Sequence, residues 1–236
     1  MSEFLTRASD YLPVLLQGVW LTLVVTLFSV ILSTLLGFMW AVMTWSRIPV
    51  LVAISRGFIT IIRGIPIIVQ LFYIYFVMPD IGINLTAVQA GIIGLGIAYS
   101  AYQAENFRAG IEAIDKGQIE AAESLGMTYL QVLRRVIVPQ ALVVAIPPLG
   151  NALIGLLKGT SLAFVAGVIE MTAKGKIISG SNFRFFEVYL ALAIIYWVMT
   201  ILIEQLLRFL EKRFSIPDSA AGAMNRGWFS WGRREI

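Results

Sequence analysis

The sequence predicts an all-α, polytopic membrane protein with about five transmembrane helices, and three observations carry that prediction. Hydrophobic residues make up 58% of the chain and charged residues only 14%, against roughly 45–50% and roughly 25% in soluble domains. The apolar residues are gathered into long runs without charge, and such runs can cross a hydrocarbon layer about 30 Å thick. The cations, in a chain of formal net charge +4, are scattered between these runs, a pattern that belongs to membrane topology rather than to nucleic-acid binding. With a mean hydropathy of +0.83, lipid must be the solvent for most of this surface. The chain has neither cysteine nor histidine. Disulfides and thiol chemistry are excluded, the usual general base and commonest metal ligand are missing, and both facts argue against an enzyme.

Residues 1–10 carry Glu3, Arg7 and Asp10 rather than a basic leader, and the apolar run behind them is too long for a cleaved signal, so they open a retained first helix. Residues 11–46 are free of charge and predict one span with an interfacial start near Pro13. After Arg47 and Pro49, a second apolar run covers residues 50–78, interrupted by Arg56 and Arg63. These two arginines lie seven apart on one helix face and can snorkel to the interface. Residues 79–82 form a short turn. A third run, 81–104, continues as helix through Glu105 and Arg108, whose i, i+3 spacing allows an internal ion pair. Residues 112–135 are the one substantially polar internal segment. The fourth run, 136–157, contains Pro139, Pro147 and Pro148, which cannot donate to a helix ladder, and is predicted to unwind or kink near its middle. The fifth, 189–203, is bounded by Glu187 and Glu204 and continues to about Phe209.

Between the fourth and fifth runs, residues 159–186 are too interrupted by Lys174, Gly175 and Lys176 to form a span. Their apolar part, 162–169, is too short to cross. The segment is predicted to be interfacial, or packed inside protein, where irregular backbone is tolerated. Residues 1–214 then form a single membrane domain with a polar loop at about 115–128, and residues 215–236 a flexible cytoplasmic tail. An outside N-terminus and inside C-terminus place Arg47, Arg108, Lys116, Arg134, Arg135 and the C-terminal cations in the cytoplasm. Arg7, Lys158, Lys174, Lys176 and Arg184 are left outside or in the membrane, so this orientation satisfies the positive-inside rule and the opposite one violates it.

Within the polar loop, residues 115–126 predict a short helix with Asp115 as N-cap and Gly126 in the left-handed position after its end. Ile119, Ala122 and Gly126 share one face. By itself this is an amphipathic connector. Glu120-Ala121-Ala122, then Gly126, then Val136-Ile137-Val138-Pro139, resembles the EAA loop of ABC importer permeases, with valines where the family prefers isoleucine and leucine. Residues 58–72, with Arg63-Gly64-Ile65-Pro66 and Gln70-Leu71-Phe72, resemble the second helix of the polar amino acid (histidine, arginine, glutamine, glutamate, cystine) branch. Ala101-Tyr102-Gln103-Ala104-Glu105 followed by Phe107-Arg108-Ala109-Gly110-Ile111 is similar to the same branch. So is Lys158-Gly159-Thr160-Ser161-Leu162-Ala163, although Gly159 stands where the family has an acidic residue. The resemblance covers residues 13–214 or so.

The resemblance implies the fold of a type I ABC importer transmembrane domain in the bacterial inner membrane. It further implies a permease subunit for polar amino acids, with cystine or a related amino acid suggested by residues 156–178. The EAA loop would be a coupling helix, with Glu120, Ala121, Ala122 and Gly126 docking on a cytoplasmic ABC ATPase dimer. A second permease subunit and an extracytoplasmic amino-acid-binding protein complete the implied partners, with no nucleic acid. The chain holds no Gly-x-x-x-x-Gly-Lys-Ser/Thr phosphate loop, so ATP and magnesium would be bound by the partner ATPase and no cofactor by this chain. The pathway candidates are Lys158, Thr160 and Ser161, where a broken helix with free backbone groups suits a polar solute, and the amides of Asn151 and Gln70. Each has a plainer alternative, snorkelling for the lysine and helix–helix hydrogen bonding for the amides. An ion-gradient-driven secondary transporter is the competing function. It fits less well, because no internal repeat is visible and Glu105 is the one acidic residue read as deep in a span.

Overall fold

In the computed structural model, residues 2–213 are described, with side chains for residues 11–210; the tail from Ser215 lies outside this range. The first helix, α1 (Ser2–Trp45), is 44 residues long with Pro13 inside it, and its apolar part, Tyr11–Trp45, exceeds the ~20 residues a perpendicular crossing needs. Its polar and small residues point inward. Thr22, Thr26, Ser29 and Ser33 are buried at 3% exposure or less while Trp20, Leu27, Phe28 and Leu35 are exposed, which is the arrangement expected when lipid is the solvent. The hydroxyls are satisfied locally or across helices: Thr22 donates to Gly18 O at 3.0 Å, Thr26 to Thr22 O at 2.7 Å and Ser29 to Ile92 O at 3.2 Å.

The run predicted as one second span is two helices, α2 (Pro49–Gly64) and α3 (Ile67–Phe72), bent by 103° at the break between them. Pro66 cannot donate, and it drives Ile65 into extended backbone (φ −102°, ψ 129°). Gln70 then caps the break, its Nε2 donating to Ile62 O and Ile65 O at 2.8 Å each. From Phe72 the helix continues through a wide turn, Tyr73–Val77, and a tight one, Met78–Ile81.

Helix α4 (Ala87–Glu112) starts at a capping box between Thr86 and Gln89 and forms the centre of the bundle. It is rich in glycine and alanine, and Ala90, Gly94, Ala98, Ala101, Ala104 and Gly110 are among its buried residues. Because it faces protein rather than lipid, it crosses without the apolarity of the others. By length and composition alone, three segments of the described residues qualify as spans, Tyr11–Trp45, Tyr129–Ala166 and Phe185–Leu210, and the bent α2–α3 pair makes up to four. Helix α4, with 26 residues, has the length to cross as well, without the composition.

After α5 (Lys116–Ser124), the short helix α6 (Tyr129–Val132) runs through a wide turn, Leu133–Ile137, into α7 (Val138–Gly159). The predicted unwinding in the middle of α7 is absent. Pro139 directly follows the wide turn Leu133–Ile137, and Pro147 and Pro148 are carried inside a continuous helix. The irregularity falls instead at the wide turn before Pro139. A tight helical segment, Thr160–Ala166, follows α7 and ends at Gly167 (φ 79°). Ala163, Ala166 and Val168 are buried within 1%, so this stretch is packed inside protein, one of the two placements its sequence predicts. Helix α8 (Met171–Asn182) and the long α9 (Phe185–Arg213) close the bundle.

Candidate functional site

Two regions gather the residues with chemical potential, and they share the end of the molecule where α5 lies. Helix α5 has the caps its sequence predicts. Asp115 Oδ1 accepts from Gly117 N at 2.7 Å. At the other end Gly126 (φ 77°) donates to Glu123 O at 2.9 Å and Met127 N to Ala122 O at 3.2 Å, the paired bonds of a glycine-terminated helix. Glu120, Ala121 and Gly126 are exposed. Ala122 is not: it is 5% exposed and packed on Ile111, Ile114, Val132, Leu133 and Ile137, with Ile119 beside it. The face shared by Ile119 and Ala122 therefore fixes α5 to the bundle and is not free for a partner. Leu125, which the sequence reading passed over, is 84% exposed at the end of α5; a large apolar side chain on a polar connector was the signal.

Helix α5 is tied to the α1–α2 junction by one cluster. Arg47 Nη2 meets Glu123 Oε1 at 3.1 Å, and its guanidinium lies 5.0 Å from the centre of the Tyr129 ring. That ring stacks on Trp45 at 5.3 Å, and the Tyr129 hydroxyl donates to Trp45 O at 3.1 Å.

A cavity of ≈ 770 Å³ opens beside this cluster between the end of α1, α2 and α4. Its charged lining is Arg56 and Arg63 from α2 and Glu105, Arg108 and Glu112 from α4, with Tyr102 above them. The i, i+3 pair expected of Glu105 and Arg108 is present, Nη2 to Oε2 at 2.6 Å, and Arg108 Nη1 also meets Glu112 Oε1 at 2.6 Å. Arg63 approaches Glu105 Oε1 only to 3.9 Å, and its guanidinium lies 5.6 Å from the Tyr102 ring centre. Arg56 has no ion pair among the described residues.

The five pathway candidates are not brought together. Lys158 is exposed at the end of α7, whereas Thr160 is fully buried. The Thr160 and Ser161 hydroxyls donate to Leu157 O and Lys158 O at 2.6 Å each, finishing the carbonyls of their own helix end. Asn151 lines a second, smaller cavity of ≈ 360 Å³ beside Glu204 and Arg208. Gln70 is 7% exposed and holds the α2–α3 bend, with its Oε1 buried and without a partner. Gly159, the departure from the family pattern, has a local cause: a Cβ there would lie 2.7 Å from the Tyr99 hydroxyl, which donates to Gly155 O at 2.8 Å.

One acidic residue escaped the sequence reading. Glu170 is fully buried before α8, where its carboxylate accepts from Thr172 N and Ala173 N at 2.8 Å each and from the Tyr196 hydroxyl at 3.1 Å. Glu105 is thus not the one carboxylate set deep in the fold. The sequence places Glu170 in a connector, and α1, through Gly18 and Thr22, and α9, through Tyr196, pack around it.

Comparison with known proteins gives concordant results. A family profile described as binding-protein-dependent transport system inner membrane component matches residues 33–216. The chain is 44% identical over 218 residues to the probable amino-acid permease protein YxeN of Bacillus subtilis (strain 168), covering 91% of this chain and 96% of that protein. It is 37% identical over 220 residues to the L-cystine transport system permease protein TcyL of the same organism, covering 90% and 89%. Among solved structures it resembles a chain of an amino acid ABC transporter crystallised with histidines, with a TM-score of 0.81, 40% identity and coverage of 89% and 98%.

Proposed function

Because the chain belongs to the family of binding-protein-dependent transport system inner membrane components, we propose that it is the permease subunit of an ATP-driven amino acid importer. In this reading it forms the translocation pathway, in a bacterial inner membrane, with a second permease subunit, a cytoplasmic ABC ATPase dimer and an extracytoplasmic binding protein as partners. The observation that carries the coupling half of the proposal is α5: a capped helix seated on the bundle through Ile119 and Ala122, with Glu120, Ala121, Leu125 and Gly126 left exposed. ATP and magnesium belong to the ATPase, since this sequence has no phosphate loop. Polar amino acids are the substrate class that the named relatives support, with cystine among them. Lys158, exposed and unpaired among the described residues, is proposed as a pathway cation at the opposite end from α5.

Uptake by proteoliposomes holding the complex, with the binding protein outside and ATP inside, tests the proposal. Amino acid uptake should require ATP and persist when ionophores collapse proton and sodium gradients. Uptake that needs a gradient and ignores ATP would identify a secondary transporter instead. Lys158→Met should assemble normally and lose substrate-stimulated ATP hydrolysis, with Lys158→Arg retaining part of it. Unchanged stimulation in Lys158→Met assigns the lysine to snorkelling.

A further inference from the structure

We propose that the corner between α8 and α9 is a lipid-binding surface, seated in the headgroup layer at the end of the molecule opposite α5, with Phe183 and Phe186 inserted among acyl chains. The inference does not depend on the transport reading above. Helix α8 has 12 residues, a length of about 18 Å, too short to cross a hydrocarbon layer about 30 Å thick. Its first turn is held inside protein, where Glu170 accepts from Thr172 N and Ala173 N at 2.8 Å each and Met171 is fully buried. Its far end is not. Ile177, Phe183 and Phe186 are 61%, 81% and 78% exposed, and large apolar side chains left open together mark a contact surface.

The backbone at Phe183 gives an independent reason. Phe183 ends α8 in the left-handed region, φ 57° and ψ 22°, with its N–H donating to Ser179 O at 2.9 Å. Among the described residues no other residue except glycine has a positive φ. Helices usually close in this conformation with glycine or asparagine, because a Cβ there crowds the following carbonyl. Asn182 stands one position too early to serve. A phenyl ring that strains the backbone and still lies open gains nothing inside the protein, so what it gains lies outside.

Continuity identifies the partner as lipid. Phe186 lies in the first turn of the apolar segment Phe185–Leu210, and its face continues at helical spacing through Leu190, Ile194 and Trp197, all exposed. That stripe is the lipid-facing side of α9, and the corner forms its outer end. A carbon added at Gly175 would meet Leu15 of α1 and Val188 of α9 at 3.6 Å each, so the corner lies near the start of α1's apolar part, Tyr11–Trp45. Cations flank the rings. Arg184 faces Glu187 at 3.9 Å, and Lys176 lies 4.8 Å from the centre of the Phe164 ring. Aromatic rings beside cations suit the membrane–water boundary, where the ring enters the acyl region and the cation stays with the phosphates.

The test uses the complete complex of the full chain and its ATPase in proteoliposomes. The native chain lacks cysteine, so a nitroxide can be attached at Phe183→Cys, Phe186→Cys or Ile177→Cys alone, each an exposed position. Collision with oxygen, which concentrates among acyl chains, is compared with collision with a water-soluble nickel chelate. Trp197→Cys on the lipid face of α9 and Ser124→Cys on α5 set the two limits. Labels at positions 183 and 186 should favour oxygen over chelate as Trp197→Cys does. Phe183→Asn with Phe186→Ser keeps a residue that tolerates the left-handed turn and removes both rings. In that background the Ile177→Cys label should lose oxygen contact and gain chelate contact as the corner lifts from the bilayer. Labels at 183 and 186 that meet the chelate as freely as Ser124→Cys would overturn the proposal, as would an Ile177→Cys label unmoved by loss of the rings. Chelate access that disappears only when the binding protein is added would also overturn it, and would assign the corner to that protein.

Discussion

Gly18 of α1 comes so close to α8 that a Cβ on it would lie 2.6 Å from Met171 Cα, and one on Gly37 would lie 2.5 Å from Gln103 Cβ of α4. Lipid tails give no hydrophobic reason for helices to associate, so close backbone approach between small residues supplies much of the packing. Gly18→Ala should force α1 and α8 apart and lower stability by about 1–3 kcal/mol, read as an earlier melting midpoint in detergent. Gly57→Ala is the control. Nothing lies within 4 Å of its added carbon, and the gain in helix propensity, about 1 kcal/mol, should leave the midpoint unchanged or raised. Gln70→Leu keeps volume but abandons the Ile62 and Ile65 carbonyls, at a cost of about 1–3 kcal/mol. An unchanged midpoint would mean that the bend is held by packing alone. Gln70 was legible as a polar residue needing a reason; its partners were not, because they face it only across a 103° bend.

At the scale of elements, the comparison of α2–α3 with α7 shows why proline alone does not locate a break. Pro66 follows Gly64 and is answered by a side-chain donor, Gln70, that stabilises the open carbonyls. Pro147 and Pro148 lie between Ala145, fully buried, and Gly150, which packs against Leu207 of α9, and the helix continues through them. Helix α5 was the most legible element, since its caps are local: Asp115 and Gly126 act within a few residues of themselves. Gly126→Leu requires the left-handed conformation at roughly 1–2 kcal/mol and should release the ATPase from the purified complex. Gly126→Asn, which tolerates that conformation, should retain it, and equal retention in both would remove α5 from the docking surface. Arg47→Ala should change the melting midpoint little, as the Glu123 pair is exposed. It should reduce the stimulation of ATP hydrolysis by substrate, because the link from α5 to the α1–α2 junction is cut. Stimulation equal to wild type would show that this link transmits nothing.

At the scale of the whole molecule, α4 is the buried centre, and α1, α2–α3, α7 and α9 pack around it with exposed apolar residues turned outward. The ion pair between Arg47 and Glu123 sets the α1–α2 junction and α5 at one end. Since the native chain lacks cysteine, Ser46→Cys and Ser124→Cys should label together. On sealed cells an impermeant thiol reagent should reach neither, and opening the membrane should expose both. Labelling of either one alone would contradict the shared end, and labelling of both in sealed cells would reverse the orientation.

Composition and hydropathy determined the helical membrane class, the five apolar runs and the capped polar helix, because each is a sum or a pattern over neighbouring residues. Motif order along the chain carried the family likeness for the same reason. Which polar groups meet was decided by tertiary structure alone. Lys158, Thr160 and Ser161 are adjacent in sequence, yet the turn at the end of α7 exposes the first and buries the second. Arg63 and Glu105 are 42 residues apart, yet they approach to 3.9 Å because the small residues of α4 let α2 come close. A side chain's partners depend on where distant helices pack, and no local pattern encodes that distance.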